Sequence, residues 1–372
     1  MANAVTNRMT NTMTSKSTLL RWLFLVISLT ASMVVIGGVT RLTDSGLSIV
    51  DWRPIMGAIP PFTESQWLEV FFKYQTSPEF IQVNNQMTLE GFKQIYFWEY
   101  IHRLTGRLIG LVFFFPLLFF TIRRSVKSKV LIRCWIGFAM GGSQGLLGWY
   151  MVKSGLVNDP RVSHIRLASH LMLAFTIIAY LLWLYLDLYR GKKEKIRANP
   201  ENSGQLIRFG FALFFAMYFV QIAYGAFVAK LRAGHIYNTF PKMGTNWVPE
   251  EAFIMDPLWF DLLENAVSIQ LIHRLLAWCL VVLGAGLGGL LLTRISLQPF
   301  QKRAVHLFFG ALVLQFALGV TTLVLHVPIV IASIHQFGAL VLLISAVNLV
   351  HGLSMDKIEF MAERTLRQIP QS

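Results

Sequence analysis

The chain has 372 residues, 55% of them hydrophobic and only 14% charged, with a mean hydropathy of +0.54. So little charge cannot coat a soluble domain of this length, and the bulk of the surface must face lipid. The net charge of +14 would suit a nucleic-acid partner, but its placement along the chain, set out below, excludes that reading.

About 20 apolar residues cross a hydrocarbon core of ~30 Å. Long apolar runs satisfy their own backbone only as helices. In chain order, residues 1–18 are rich in Thr, Asn and Ser, with Arg8 and Lys16 and no acid, and are expected to be disordered. A first span covers 19–39. It is long for a signal peptide, lacks a small-residue exit, and runs into Gly37-Gly38, so it is read as retained. The connection 40–97 carries Asp51-Trp52-Arg53-Pro54, Pro60-Pro61 and several aromatics, and is expected to fold as a cap. Spans follow at 98–121, 134–152 and 162–188. The third is the weakest, because Gly137, Gly141, Gly142, Gly145 and Gly148 interrupt it, though small residues also allow close helix contact. After an inner linker at 191–206 come spans at 207–229, 266–292, 304–326 and 329–352, with a second long connection at 230–265 and an inner tail at 354–372. Trp52, Trp67, Trp98, Trp247 and Trp259 suit an interfacial belt. Cys134 and Cys279 fall within spans as core residues, with no loop disulfide available.

With the N-terminus inside, the inner segments hold 20 of the 33 Lys and Arg and six of the 19 acids. The outer segments hold 13 of each, so the inner side carries +14 and the outer side none. Arg123, Arg124, Lys127, Lys129 and Arg133 form one inner cluster, and Lys192, Lys193, Lys195 and Arg197 another. That is the positive-inside pattern, and it puts both termini inside. The high pI therefore reflects topology and anionic lipid.

The two halves repeat. Val39-Thr40-Arg41-Leu42 matches Val228-Ala229-Lys230-Leu231, and Ile101-His102-Arg103-Leu104 matches Ile272-His273-Arg274-Leu275. Gln144 to Gly148 matches Gln315 to Gly319, and His170 to Ala174 matches His335 to Ala339. Four spans per half give both copies one orientation, so the expected fold is all-α integral membrane: eight transmembrane helices as two tandem, parallel-repeat four-helix bundles, 19–190 and 207–353.

His102, His170, His273 and His335 lie a few residues inside the outer helix ends. Read singly, each is an interfacial or hydrogen-bonded residue; four at repeat-related places indicate paired ligation. Two helices flanking an apolar slab, each offering one imidazole, meet the axial needs of a heme iron. Zinc fits poorly, since each pair supplies two nitrogens and no thiolate. Arg103 and Arg274 follow their histidines and are candidates for heme propionates, with Arg41, Arg107, Arg166 and Lys230 beside them; each could instead snorkel to headgroups. Gln144 and Gln315 are either interhelical glue or pocket lining. Of the other histidines, His235, His306 and His351 are expected on the surface or in loops, while His164 and His326 lie close enough to the outer face to remain candidates for the site. Glu99, three residues before His102, shares its helix face, while its counterpart Gln270 cannot ionise. One half is therefore expected to perform chemistry beside an electron-transfer heme in the other. A diheme b-type cytochrome linked to quinol, or a heme transporter, remains open on these residues alone.

Gly37-Gly38-Val39-Thr40-Arg41-Leu42-Thr43, Ser45-Gly46-Leu47-Ser48, Trp52-Arg53-Pro54, Gly57 to Pro61, Phe97-Trp98-Glu99-Tyr100-Ile101-His102-Arg103, Gln144-Gly145 and Gly148-Trp149 closely resemble the heme A synthase family, over about residues 20–353. The resemblance is to the proteobacterial and mitochondrial branch. The cysteine pair that another branch carries in the first outer loop is missing here. It implies oxidation of a porphyrin methyl of heme O to a formyl group, giving heme A for terminal oxidases. His102 and His170 would border the substrate heme, with Glu99 as the essential acid. His273 and His335 would ligate heme b, with Arg274, Arg103 and Arg41 as cofactor-binding groups. It also implies a bacterial cytoplasmic membrane ahead of a mitochondrial inner membrane. The implied partners are heme O synthase and terminal-oxidase assembly factors, with no nucleic acid and with a homo-oligomer compatible.

Overall fold

A computed structural model describes residues 2–51, 59–155, 163–190 and 201–354. Trp52-Arg53-Pro54, the Lys192 to Arg197 cluster, most of the inner linker and the tail beyond 354 lie outside the described residues. The helices are α1 (Ala2–Leu42), α2 (Glu64–Gln75), α3 (Pro78–Gln82), α4 (Leu89–Arg123), α5 (Ser128–Gly155), α6 (His164–Arg190), α7 (Glu201–Lys230), α8 (Leu258–Glu264), α9 (Ala266–Arg294), α10 (Pro299–Val324) and α11 (Ile329–Ser354). Eight of them, α1, α4 to α7 and α9 to α11, are long and apolar enough to cross a membrane, as expected of a multi-pass membrane protein.

Local chemistry sets the boundaries. Thr88 caps α4 by accepting from the Gly91 amide, and Asn265 caps α9 by accepting from Val267 and Ser268. Thr63 and Gln66 form a reciprocal capping box at α2, and Pro78 and Pro299 open α3 and α10, where no amide hydrogen is needed. The first helix starts at Ala2, upstream of its apolar run, through residues expected to be disordered; no Gly or Pro breaks that stretch. α4 begins nine residues before the expected span. Its extra turns carry Phe92 and Tyr96, which bury against Phe71 and Tyr74 of α2 and so build the expected cap.

Lipid provides no hydrophobic drive between helices, so close packing and buried hydrogen bonds hold the bundle. One apolar cluster runs through both halves, from Leu23 and Phe175 through Phe214 to Phe308 and Leu343. α1, α6, α7 and α11 meet at the centre. There Gln336 Nε2 donates to the Val34 carbonyl (2.8 Å) and the Tyr218 hydroxyl donates to that of Ala339 (2.7 Å), each contact worth about 0.6–2 kcal/mol. A Cβ on Gly38 would collide with the Gln336 side chain, so the two halves approach here almost backbone to side chain.

One histidine departs from expectation. His351 is buried at the cap-distal end, held between Asp187 (2.9 Å) and Arg190 (2.8 Å), with Arg133 completing the cluster on Asp187 (2.7 Å). His164 is buried against Phe227. His235, His306 and His326 are exposed. Cys134 is buried and Cys279 exposed, both as free thiols.

Candidate functional site: four imidazoles in one cavity

Helix starts place the imidazoles. His170, His273 and His335 lie six or seven residues into α6, α9 and α11, roughly 9–10 Å below those helix starts. His102 sits 13 residues into α4 because that helix continues upward into the cap. His102 and His170 lie within electrostatic reach of each other, as do His273 and His335, so each half forms its own pair. All four rings line one cavity of about 1460 Å³ that runs through both halves. This exceeds the ~300–1,000 Å³ of an ordinary ligand pocket and leaves room for two large planar groups.

Each ring rests on a glycine of a neighbouring helix. A Cβ on Gly37 would come within 2.9 Å of His102 Cε1, and one on Gly148 within 3.1 Å of His170 Cε1. On Gly225 it would reach 3.3 Å from His273, and on Gly319 2.9 Å from His335. Three of these glycines end a Gln-x-x-x-Gly run: Gln144 to Gly148, Gln221 to Gly225, and Gln315 to Gly319. A helical carbonyl points toward the residue four further on, so a glycine there leaves it uncovered. The backbones of Gln221 and Gln315 accordingly face the His273 and His335 rings. The Nδ1 of all four rings is buried and makes no hydrogen bond of standard geometry. Gln144 Nε2 donates to the His170 carbonyl (2.9 Å), and Gln221 Nε2 lies 3.4 Å from His273 Nε2, so the glutamines act as both glue and lining. Gln221 and Gly225 escaped the sequence reading, although the i, i+4 pairing of Gln with Gly was there to be found, and Gly37 was read only as part of a motif and not as a bed for His102.

The cap is clamped directly above the rings. Glu99 is buried and accepts from Ser48 Oγ (2.6 Å) and the Ile49 amide (2.8 Å) on one oxygen, and from Arg103 on the other. Arg103 also donates to the Ile49 carbonyl (2.9 Å). In the second half Gln270 Nε2 donates to the Tyr237 carbonyl (2.9 Å), and Arg274 donates to the carbonyls of Tyr237 and Thr239 (2.8 Å each). The same device thus fastens both loops, with a charged carboxylate only in the first. Arg41 donates to Asp44 (2.7 Å) and to the Ala229 carbonyl (2.9 Å), and Asp44 also receives Arg232 (2.7 Å), which ties the halves together at the cap end. Glu99, Arg103, Arg274, Arg41, Arg107 and Lys230 all line the cavity, whereas Arg166 packs on Tyr150. Glu79, from α3, is a further buried carboxylate on the cavity wall that sequence reading did not single out. The Tyr74 hydroxyl donates to it (3.1 Å). Burial, aided by the charges of Glu99 and Asp44, pushes Glu79 up to about 7.

Among the described residues no group of three or more His, Cys, Asp or Glu could hold a bare metal ion. Two-imidazole sites in a large apolar cavity suit the iron of a planar macrocycle, which needs only axial ligands from the protein.

Residues 20–347 match the cytochrome oxidase assembly protein family, COX15-CtaA. The chain is 43% identical over 332 residues to a heme A synthase of Nitrosospira multiformis, covering 89% of this chain and 92% of that protein. It is 41% identical to one of Wolbachia pipientis (86% and 88% covered) and 40% identical to one of Nitrosomonas eutropha (90% and 93%). With near full-length matches at this identity, and four cavity-lining histidines on the helices where the repeat demands them, the chain belongs to the heme A synthase family.

Proposed function

We propose that the protein converts heme O to heme A, with the substrate between His102 and His170 and a resident heme b between His273 and His335. The observation that carries this division is the asymmetry of two otherwise matching sites: a buried carboxylate, Glu99, lines the cavity in the first half where an amide, Gln270, stands in the second. The relatives named heme A synthase support the activity.

The residues fit both groups. Each half-buried histidine rests on a glycine bed with its Nδ1 buried, so Nε2 is the nitrogen that would face iron; at His273 it lies 3.4 Å from Gln221 Nε2. Arg103, Arg274 and Arg41 gather at the cap end, where the acidic edge of a porphyrin would lie. When bound, heme b supplies one-electron transfer. In the first half, a ring methyl would be oxidised to the formyl group, R–CH3 + H2O → R–CHO + 4 H+ + 4 e−, with the electrons leaving to an external electron acceptor. Protons released there reach Glu99, whose carboxylate is fixed by Arg103, Ser48 and Ile49 at the cavity wall. The clamp fixes residues 48 and 49 of the cap to the first-half end of the cavity.

The charge asymmetry of the sequence supports placing both termini on the cytoplasmic side of a bacterial inner membrane, with the cap outside. Heme O synthase would deliver the substrate and oxidase assembly factors would receive the product. Supplying heme O to purified wild-type, Glu99→Ala and His273→Ala proteins and extracting the pigments tests the reading. Wild type yields heme A, and Glu99→Ala yields none while keeping a low-spin heme b spectrum. Normal heme A from Glu99→Ala overturns the division of labour.

A further inference from the structure

The repeat lets the two sites be compared position by position. The same 171 residues separate His102 from His273, Gly148 from Gly319, and the helix ends Arg123 and Arg294. In that register, Gly141, Gly142 and Gly145 of α5 correspond to Leu312, Val313 and Phe316 of α10. On the facing helices, Gly106, Arg107 and Gly110 of α4 correspond to Ala277, Trp278 and Val281 of α9.

The structure gives these substitutions opposite consequences. In the second half Trp278 and Phe316 pack across the α9–α10 seam at 4.6 Å between centroids, and Phe240 of the loop covers both, at 5.9 and 6.0 Å. Leu312 is buried beside them. In the first half Gly141, Gly142 and Gly145 line the cavity without a side chain, and a Cβ on any of them would meet nothing within 4 Å. Leu146 next to them also borders the cavity and is 69% exposed. Along this stretch the wall is thus glycine between α4 and α5, and between α9 and α10 a packed aromatic pair under Phe240.

The gap also has a height. Gly145 and Gly141 lie three and seven residues from Gly148, the bed of His170, and on antiparallel α4 Gly106 and Gly110 lie four and eight residues past His102. Both sets sit roughly 5–12 Å from the ring level, on the side away from the cap. A porphyrin with its carboxylates toward the cap arginines points its opposite edge into this gap.

We propose that the α4–α5 seam is a lateral door between the first-half cavity and the lipid. The isoprenoid tail of the substrate heme lies in it, and substrate and product exchange through it, while the aromatic closure of the second half retains its heme. The inference rests on the reading of the first half as the heme O site. It makes Gly141 and Gly145 determinants of substrate access, and Phe316 and Trp278 determinants of heme retention.

Gly145→Phe, alone and with Gly141→Leu, installs the second-half residues in the door, and Gly145→Ala serves as control. In lipid nanodiscs carrying heme O, uptake followed by absorbance should slow about tenfold or more in Gly145→Phe and stay at the wild-type rate in Gly145→Ala. Retention of the second-half heme b shows that the variant is folded. Conversely, Phe316→Gly should speed loss of heme b to an apomyoglobin trap by about tenfold. Wild-type uptake by a Gly145→Phe protein that keeps its heme b overturns the door, as does unchanged retention in Phe316→Gly. If wild type takes up heme O but forms no heme A, the assigned activity falls while the door stands.

Discussion

Replacing Glu99 by glutamine keeps size and shape but removes the charge that clamps the cap. The side chain is 3% exposed and that of its partner Arg103 10%, so neither is screened by solvent. Its two oxygens accept from three donors: Ser48, Ile49 and Arg103. The amide introduced by Glu99→Gln would retain one accepting oxygen and turn an NH2 group toward donors. Leaving one partner of a buried pair alone costs about 3–5 kcal/mol, and each hydrogen bond to a charged group is worth about 1.5–3 kcal/mol. Arg103 keeps the Ile49 carbonyl, so the loss should fall near the low end, about 3 kcal/mol. Through the relation of 1.4 kcal/mol per decade, this is about a hundredfold loss of amide protection. Hydrogen exchange with mass spectrometry in detergent, on peptides covering 43–51 and 59–88, would read it directly. The double variant with Arg103→Gln should lose less than the sum of the singles by about 2 kcal/mol, since both break one interaction. Unchanged protection in Glu99→Gln, with heme A formation abolished, would refute the clamp and leave Glu99 a purely chemical role.

Two further outcomes follow from the geometry. Gly319→Ala places a Cβ 2.9 Å from His335 Cε1, so the ring must swing and the heme b absorbance should lose its low-spin form, whereas Gly46→Ala, with nothing within 4 Å, should leave it unaltered. Glu79, raised to about 7 by burial, keeps a proton in the folded cap that the unfolded chain releases at lower pH. By linkage the cap loses stability as pH rises from the ordinary carboxylate range toward 7, against a setting of Tyr74, Glu99, Asp44 and Lys230. Thermal unfolding in detergent should show that decline in wild type, and Glu79→Gln should flatten it; equal slopes in the two proteins would contradict the assignment.

Much of this was readable in the linear chain. Hydropathy located eight spans, and the repeat brought out four histidines and the Glu99/Gln270 difference, because equal spacing in two copies carries information that one lone motif does not. Other features were hidden for physical reasons. Spans in lipid are apolar all round, so composition does not tell the buried face of α11, with His351, from its lipid face. The clamp joins Glu99 to Ser48 and Ile49 of a distant loop, a tertiary contact with no local signature. The match of Val39 to Val228 set the first and fifth spans 189 residues apart. The ring-bedding glycines Gly37 and Gly225, and the helix ends Leu42 and Lys230, set them 188 apart. One residue turns a helix by about 100°, which makes Ala229 the counterpart of Arg41 and leaves the cap-end arginine clamp specific to the first half. The glycines of α5 read as weakness in a span, and only beside Leu312 and Phe316 do they read as an opening.

Two histidine pairs, each closing on its own porphyrin, are the core of the proposed mechanism. Heme bound per chain, with the axial ligands read by low-temperature electron paramagnetic resonance, tests this most directly in wild type, the His102→Ala/His170→Ala variant and the His273→Ala/His335→Ala variant. With heme O supplied, each double variant should lose one heme site and keep the other, with a bis-imidazole signal surviving wherever its pair is intact; without heme O, the His273→Ala/His335→Ala variant should give none. A wild-type protein without heme, or a bis-imidazole signal that persists after both His273 and His335 are replaced and no heme O is supplied, would contradict it.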